Sequence, residues 1–250
     1  MASFRKYIEL RPDELEAILK DAPVALWPLG LLEHHGWHLP VGFDGLKAER
    51  MCERIGEKTG GVMLPVMWWG GGGGHDVFKW TFYQSEEAYA AILTETVRKL
   101  VEYGFKAIVV LAGHYPWQST LEKRLPEIQA SHPEVLMLWG TEVKICDDAV
   151  SIQGDHAARE ETSFGLALFS EFVDMDALTT GRGSDVWIGG EPPPLEKQHP
   201  KVCFDPNDPL FSQMGVDARE ASAEHGEAGT KLVVDEVSKR ILAHLDQERT

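Results

Sequence analysis

Long apolar runs and amphipathic stretches alternate along this chain, and their order predicts its architecture. Residues 24–29 (Val-Ala-Leu-Trp-Pro-Leu) and 107–112 (Ala-Ile-Val-Val-Leu-Ala) are unbroken apolar runs, the pattern of strands covered on both faces. Residues 62–69 and 135–139 are further strand candidates, the first weakened by Pro65. Helical periodicity marks 12–20, with Pro12 and two acids in its first turn, and 45–59, stopped by Gly60-Gly61. It also marks 85–103, with Ser85 as N-cap and Gly104 as stop, then 117–132 and about 155–172. Strand and helix in alternation predict right-handed βαβ units, hence an α/β protein with three layers, α/β/α, around a mostly parallel central sheet. One domain over residues 1–250 is long enough to bury a large core. Two segments break the alternation. Gly70 to Gly74 lack the spacing and the lysine of a phosphate loop and predict a flexible loop. Residues 174–210, rich in Gly, Pro and Asp, predict a long irregular excursion, a lid or an oligomer contact, before helix returns at 217–226 and 230–245.

Charge and cysteine content remove several function classes. Lys and Arg total 24 against 40 Asp and Glu, a formal net charge of −16. Such a chain has no basic footprint for nucleic acid and is repelled by an anionic membrane surface; the acidic excess serves solubility. Cys52, Cys146 and Cys203 are odd in number, far apart and outside any C-x-x-C pair. That argues against a disulfide scaffold or a thiolate zinc site and for a reducing compartment. Residues 1–7 lack the apolar core of a signal peptide and no stretch is long enough to span a bilayer, so a cytoplasmic location is expected.

Candidate chemistry is concentrated directly after the first apolar run. Glu33-His34-His35-Gly36-Trp37-His38-Leu39-Pro40-Val41-Gly42-Phe43-Asp44 holds one Glu, three His and one Asp in twelve positions. Carboxylate and imidazole are the donors that borderline divalent metals such as zinc prefer. In extended backbone Glu33 and His35 point to one face, and Asp44 returns after a short loop. Gly113-His114-Tyr115 follows the second apolar run, so both segments fall at the carboxyl edge of the sheet, where open parallel sheets bind ligands. The stretch from Asp155 to Ser163 opens a helix near the same edge. Each signal has a bland reading: a chance E-x-H, a loop histidine making a hydrogen bond, acids complementing a helix dipole. Together they bring Glu, His, Asp, His and Glu to one edge, enough for two metals sharing a carboxylate.

The run from Pro28 to Asp44 resembles the signature P-x-G-x-x-E-Q-H-G-x-H-L-P-x-x-x-D of the creatininase family of metal-dependent amidohydrolases. Ala112-Gly113-His114 resembles its N-G-H segment, and His156-Ala157-Ala158 through Glu161-Thr162-Ser163 resembles its H-A-G-x-x-E-T-S segment. Order and spacing agree over about residues 20–170. The resemblance implies a binuclear hydrolase with two divalent cations, zinc foremost or manganese paired with zinc, a small-molecule substrate and a homohexameric assembly. Carried over by position, Glu33, Asp44 and His114 hold one metal, while His35, the shared Asp44 and a further glutamate hold the other. In creatininase that glutamate lies two residues after the N-G-H histidine. This chain has Pro116 there, and Glu161 is the remaining candidate. His156 matches the family's proton-transfer histidine, so His156 and Glu161 are the expected catalytic residues beside metal-activated hydroxide.

The pocket departs from the family pattern. The segment H-x-x-F-P-G-T is His75-Asp76-Val77-Phe78-Lys79-Trp80-Thr81 here, with long Lys79 and bulky Trp80 in place of Pro-Gly. The glycine-rich stretch after N-G-H becomes Tyr115-Pro116-Trp117-Gln118. Tyr115, His75, Lys79 and Trp80 are thus expected to line a pocket for a polar ring. His34, His38 and His75 are expected either to orient ligands or simply to hydrogen-bond the loop. The leading expectation is a hydrolase cleaving a C–N bond of a small cyclic amide or related compound. A ring-opening C–C hydrolase of an oxidised inositol, of the 3-dehydro-scyllo-inosose type, needs the same residues. A non-catalytic binding protein with a degenerate site is the third reading, favoured by Pro116.

Overall fold

A computed structural model describes residues 3–180 and 185–248. Among them five strands form one sheet, in the order β1-β3-β2-β4-β5: β1 (Phe4–Lys6), β2 (Val24–Leu29), β3 (Gly61–Met63), β4 (Ala107–Ala112) and β5 (Leu136–Thr141). Every neighbouring pair is parallel. The helices are α1 (Pro12–Asp21), α2 (Phe43–Thr59), α3 (Glu86–Glu102), α4 (Trp117–Ser131), α5 (Arg159–Leu168) and α6 (Ala223–Glu248).

The two apolar runs are the central strands β2 and β4, buried along their whole length. Their side chains alternate between two cores. Val24, Leu26, Val109 and Leu111 pack with α2, α5 and α6 residues such as Met51, Phe164 and Val237. Ala25, Trp27, Leu29, Ile108 and Val110 pack with α3 and α4 residues such as Leu93, Trp117 and Leu121. This is the expected three-layer arrangement. Burial of each large aliphatic side chain contributes about 1.5–3 kcal/mol, so both strands end at fixed points. The helix after β2 covers one face and the helix after β4 the other. The loops leaving these adjacent strands therefore diverge and open a crevice at their carboxyl ends.

Several boundaries differ from the sequence pattern. β1 is an edge strand that the pattern does not reveal. The strand expected over 62–69 is only Gly61–Met63, after which the chain runs as a loop bridged to Leu29 at Met67. α5 is shorter than expected, and α2 begins at Phe43 rather than Gly45. The two helices expected at 217–226 and 230–245 are one continuous α6, preceded by a 3-10 turn at Ala218–Glu220. Gly226 does not stop it: a Cβ there would overlap the Ser163 carbonyl of α5, so this glycine permits close helix packing. Within the excursion expected over 174–210, the described residues carry 3-10 turns at Met175–Ala177 and Leu195–Lys197, and residues 181–184 lie outside the described ones. No helix among the described residues is long and apolar enough to cross a membrane.

Candidate metal centre

The crevice between β2 and β4 is built by close backbone contacts. A Cβ on Gly30 would overlap the backbone of Gly45, so the loop after β2 lies directly against the start of α2. On the other side Gly113, which follows β4, packs on the Asp44 carbonyl and donates its N–H to Leu29 O at 2.8 Å. Asp44 thus sits in the first turn of α2, where a carboxylate complements the helix dipole. Glu33 is held by its own N–H, which donates to Val41 O at 2.9 Å. Residues 31–35 are loop rather than strand, yet Glu33 and His35 still converge. Glu161 occupies the first turn of α5, whose opening N–H groups, from Glu160 and Glu161, donate to Asp155 at 2.7 and 3.0 Å.

The two carboxylate oxygens of Asp44 face two different histidines. Oδ1 lies 3.2 Å from His35 Nε2, and Oδ2 lies 3.2 Å from His114 Nδ1. Glu33 Oε2 is 3.0 Å from the same His114 nitrogen, and Glu161 Oε2 is 3.6 Å from the same His35 nitrogen. The result is two groups with one shared member, Glu33–Asp44–His114 and His35–Asp44–Glu161. The donor atoms within each lie within 4.8 Å of one another, and every residue is buried. A third group, Glu33–His35–His156, overlaps both.

The donor set fits a pair of divalent cations. His35 Nδ1 is 3.1 Å from Glu33 O, and His114 Nε2 is 3.1 Å from Gly72 O. A carbonyl can only accept, so these nitrogens carry the protons of the neutral rings. The lone pairs are then directed at the carboxylates, the tautomer a metal requires. Glu33 Oε2, His35 Nε2 and Asp44 Oδ2 are buried without a hydrogen bond, which is costly unless something else satisfies them. Without a cation the imidazoles take that place. Burial lowers the basicity of His35, yet Asp44, Glu161 and Glu33 raise its pKa to about 9. His114 is likewise raised well above the ordinary value, by Glu33 and Asp44 against its burial. Burial would raise the Asp44 carboxyl, but His35 and His114 hold it well below the usual range.

The His156 ring lies tilted against those of His35 and His75, with centroids 4.5 and 3.9 Å away. Its Nε2 donates to His34 O at 3.0 Å. His75 Nδ1 lies 3.4 Å from Glu33 Oε1. His34 and His38 hydrogen-bond Ser212 and Thr162 instead, at 3.0 and 2.8 Å. The Tyr115 hydroxyl turns inward and donates to Glu142 Oε1 at 2.7 Å. Lys79 pairs with Asp185 at the surface, and Trp80 is 68% exposed with φ 74. Pro116 packs beside the loop that carries Gly72, where added Cβ atoms on Gly72 and Gly73 would meet it at 3.1 and 3.3 Å. The glycine run thus orients His114 through the Gly72 carbonyl.

Three further residues reach the cluster without having been singled out by sequence. Tyr83 OH accepts from His75 N–H at 2.9 Å and donates to Glu33 Oε1 at 3.3 Å. Lys47 Nζ contacts Glu142 and Glu161. A lysine on the buried stripe of α2 was a readable signal for Lys47. Glu142 follows β5 at the same carboxyl edge, hidden because that strand was expected to end at residue 139.

Residues 9–241 match the family model described as creatininase, creatinine amidohydrolase. The chain belongs to the creatininase family. It is a hydrolase of that family. The creatinine amidohydrolase of Pseudomonas putida is 26% identical over 179 residues, covering 62% of this chain and 68% of that protein. The 3-dehydro-scyllo-inosose hydrolase of Thermotoga maritima is also 26% identical, over 168 residues; the match covers 63% of this chain but only 54% of that protein. A crystal structure of creatinine amidohydrolase superposes with a TM-score of 0.73 at 22% identity, covering 96% of both chains. Other creatininase structures share the fold. One is a manganese form, with TM-score 0.72, 21% identity and coverage of 96% and 98%. Another is a Zn-Zn form of a mutant, with TM-score 0.70, 23% identity and coverage of 96% and 97%.

Proposed function

We propose that this creatininase-family hydrolase is a metal-dependent amidohydrolase that cleaves a C–N bond of a small cyclic amide or related compound. The observation that carries this reading is Asp44, whose two oxygens face separate carboxylate–imidazole groups. Glu33, Asp44 and His114 would hold one divalent cation, and His35, Asp44 and Glu161 the other. Glu161 replaces the ligand that Pro116 removes. Nitrogen and oxygen donors in this proportion suit zinc at both positions, with manganese accepted at one; the solved zinc and manganese forms of relatives support that choice. When bound, the two cations would polarise the substrate carbonyl and make water a nucleophile at neutral pH.

The chain's own side chains supply the rest. His156 Nε2–H is engaged with the His34 carbonyl, which leaves Nδ1 of the neutral ring to take a proton and deliver it to the departing nitrogen. His75 and Tyr83 hold Glu33 in place from the side away from His114. Phe78 packs its ring on both His34 and His75, at 5.3 and 5.5 Å, giving the site an apolar wall that excludes bulk water.

The test is a turnover screen of zinc- and manganese-loaded protein against lactams, cyclic ureides, formamides and inososes. Release of amine or carboxylate from a C–N substrate, abolished by chelation and restored by metal, is expected. Loaded protein that leaves every C–N substrate intact would refute the reading. A weaker alternative has its own support, because the inosose hydrolase is also 26% identical, although over a smaller share of its own length. Opening an oxidised inositol also begins with attack on a carbonyl, and the inosose arm of the screen separates the two.

A further inference from the structure

Lys47 is fully buried, with 0% exposure, one helical turn after Asp44 on α2. Its Nζ lies 2.8 Å from Glu142 Oε1 and 3.2 Å from Glu161 Oε1. The rings of Tyr115, Phe43 and Phe164 surround it at 4.7, 5.4 and 5.7 Å. Removing two charges from water is expensive, and an apolar residue of similar volume is commonly as stable as a buried ion pair. Stability is therefore a weak reason for this pair, and what it touches is a stronger one.

We propose that Lys47, backed by Glu142, is a positioning residue that clamps Glu161 as a one-oxygen ligand for the second cation. The inference rests on the two-cation reading above. Oε1 of Glu161 is committed to Lys47. Oε2 accepts from Ala157 N–H at 2.8 Å and is the oxygen that faces His35. Ala157 stands at φ 50, so the backbone adopts a strained conformation where it presents that N–H. Held at both oxygens, Glu161 can neither chelate a cation with both nor swing away. Glu142 is itself fixed by the Tyr115 hydroxyl. Lys47 cancels the charge of Glu142, so Glu33, Asp44 and Glu161 still set the charge of the centre. Removing the pair together leaves that charge unchanged and isolates the clamp.

The experiment is zinc titration of chelator-stripped protein, wild type against Lys47→Met/Glu142→Gln, with circular dichroism to verify the fold. Lys47→Met alone would strand a buried charge on Glu142; in the double variant glutamine still accepts from Tyr115. Wild type is expected to take two zinc ions per chain. The double variant should bind the first as wild type does and the second about 10–100-fold more weakly, the usual effect of losing a group that orients a ligand. Unchanged affinity at both positions, or an equal loss at both, would overturn the clamp while leaving two-cation binding intact. An unfolded double variant would assign the pair to stability and overturn it too. Wild type binding no zinc would remove the two-cation reading itself, and the clamp with it.

Discussion

A side chain of any size on Gly113 would overlap the backbone carbonyl oxygen of Asp44. This contact joins the loop after β4 to the first turn of α2, so the residue beside His114 also sets where Asp44 stands. Gly113→Ala must force these two backbones apart. It is expected to destabilise the protein by about 1–3 kcal/mol, as overpacking does, and to weaken zinc at both positions. Thermal denaturation and zinc titration check this; an unchanged Tm with full zinc content would show that the contact does not govern the site.

The proposed role of His156 is proton transfer, separate from that of the five side chains expected to hold the cations. Its Nε2 proton is taken by the His34 carbonyl, and its ring lies on His35 and His75. For His156→Ala the expected result is wild-type metal content with turnover reduced about 10²–10⁴-fold, the usual worth of a positioned proton donor. Turnover equal to wild type would remove it from the mechanism.

Stripped of cations, the protein should respond to pH through its buried imidazoles. Burial opposes protonation of His35, but Asp44, Glu161 and Glu33 raise its pKa to about 9, against about 6.5 in an unfolded chain. Its protonated ring therefore contributes stability that is fully present below about pH 6.5 and is lost as pH rises through about 9. His114, also raised, acts in the same direction. The Tm of the stripped protein should fall across this interval, whereas zinc-loaded protein, whose imidazoles bind as neutral rings, should show a flatter profile. A stripped protein whose Tm rises over the same interval would contradict the assignment.

The central strands were legible because burial on both faces leaves a signal that needs no partner: 24–29 and 107–112 match β2 and β4 to the residue. β1 was not legible. Phe4-Arg5-Lys6 has no apolar run of its own and is a strand only because it pairs with Gly61–Met63. The sequence pattern divides α6 at its glycines because whether Gly226 ends a helix depends on the Ser163 carbonyl, a neighbour 63 positions away in sequence.

In the site, the expected donors Glu33, His35, Asp44, His114 and Glu161 do come together: the first four lie on segments that follow the adjacent strands β2 and β4, and Glu161 joins them from the first turn of α5. Tyr115 was expected to face substrate, but its hydroxyl is spent on Glu142. That misdirection comes from Lys47, whose charge draws Glu142 and Glu161 to one point and which no metal-ligand motif contains. Lys79 and Trp80 read as pocket residues from their place after His75; the structure directs Lys79 to Asp185 and leaves Trp80 at the surface.

The proposed centre depends most on Asp44 serving two cations at once. Metal content per chain, measured on wild type, Asp44→Ala and His114→Ala after zinc loading and gel filtration, tests this directly. Two zinc ions are expected in wild type, none retained in Asp44→Ala, and loss confined mainly to one in His114→Ala. Two zinc ions retained by a folded Asp44→Ala protein would contradict it.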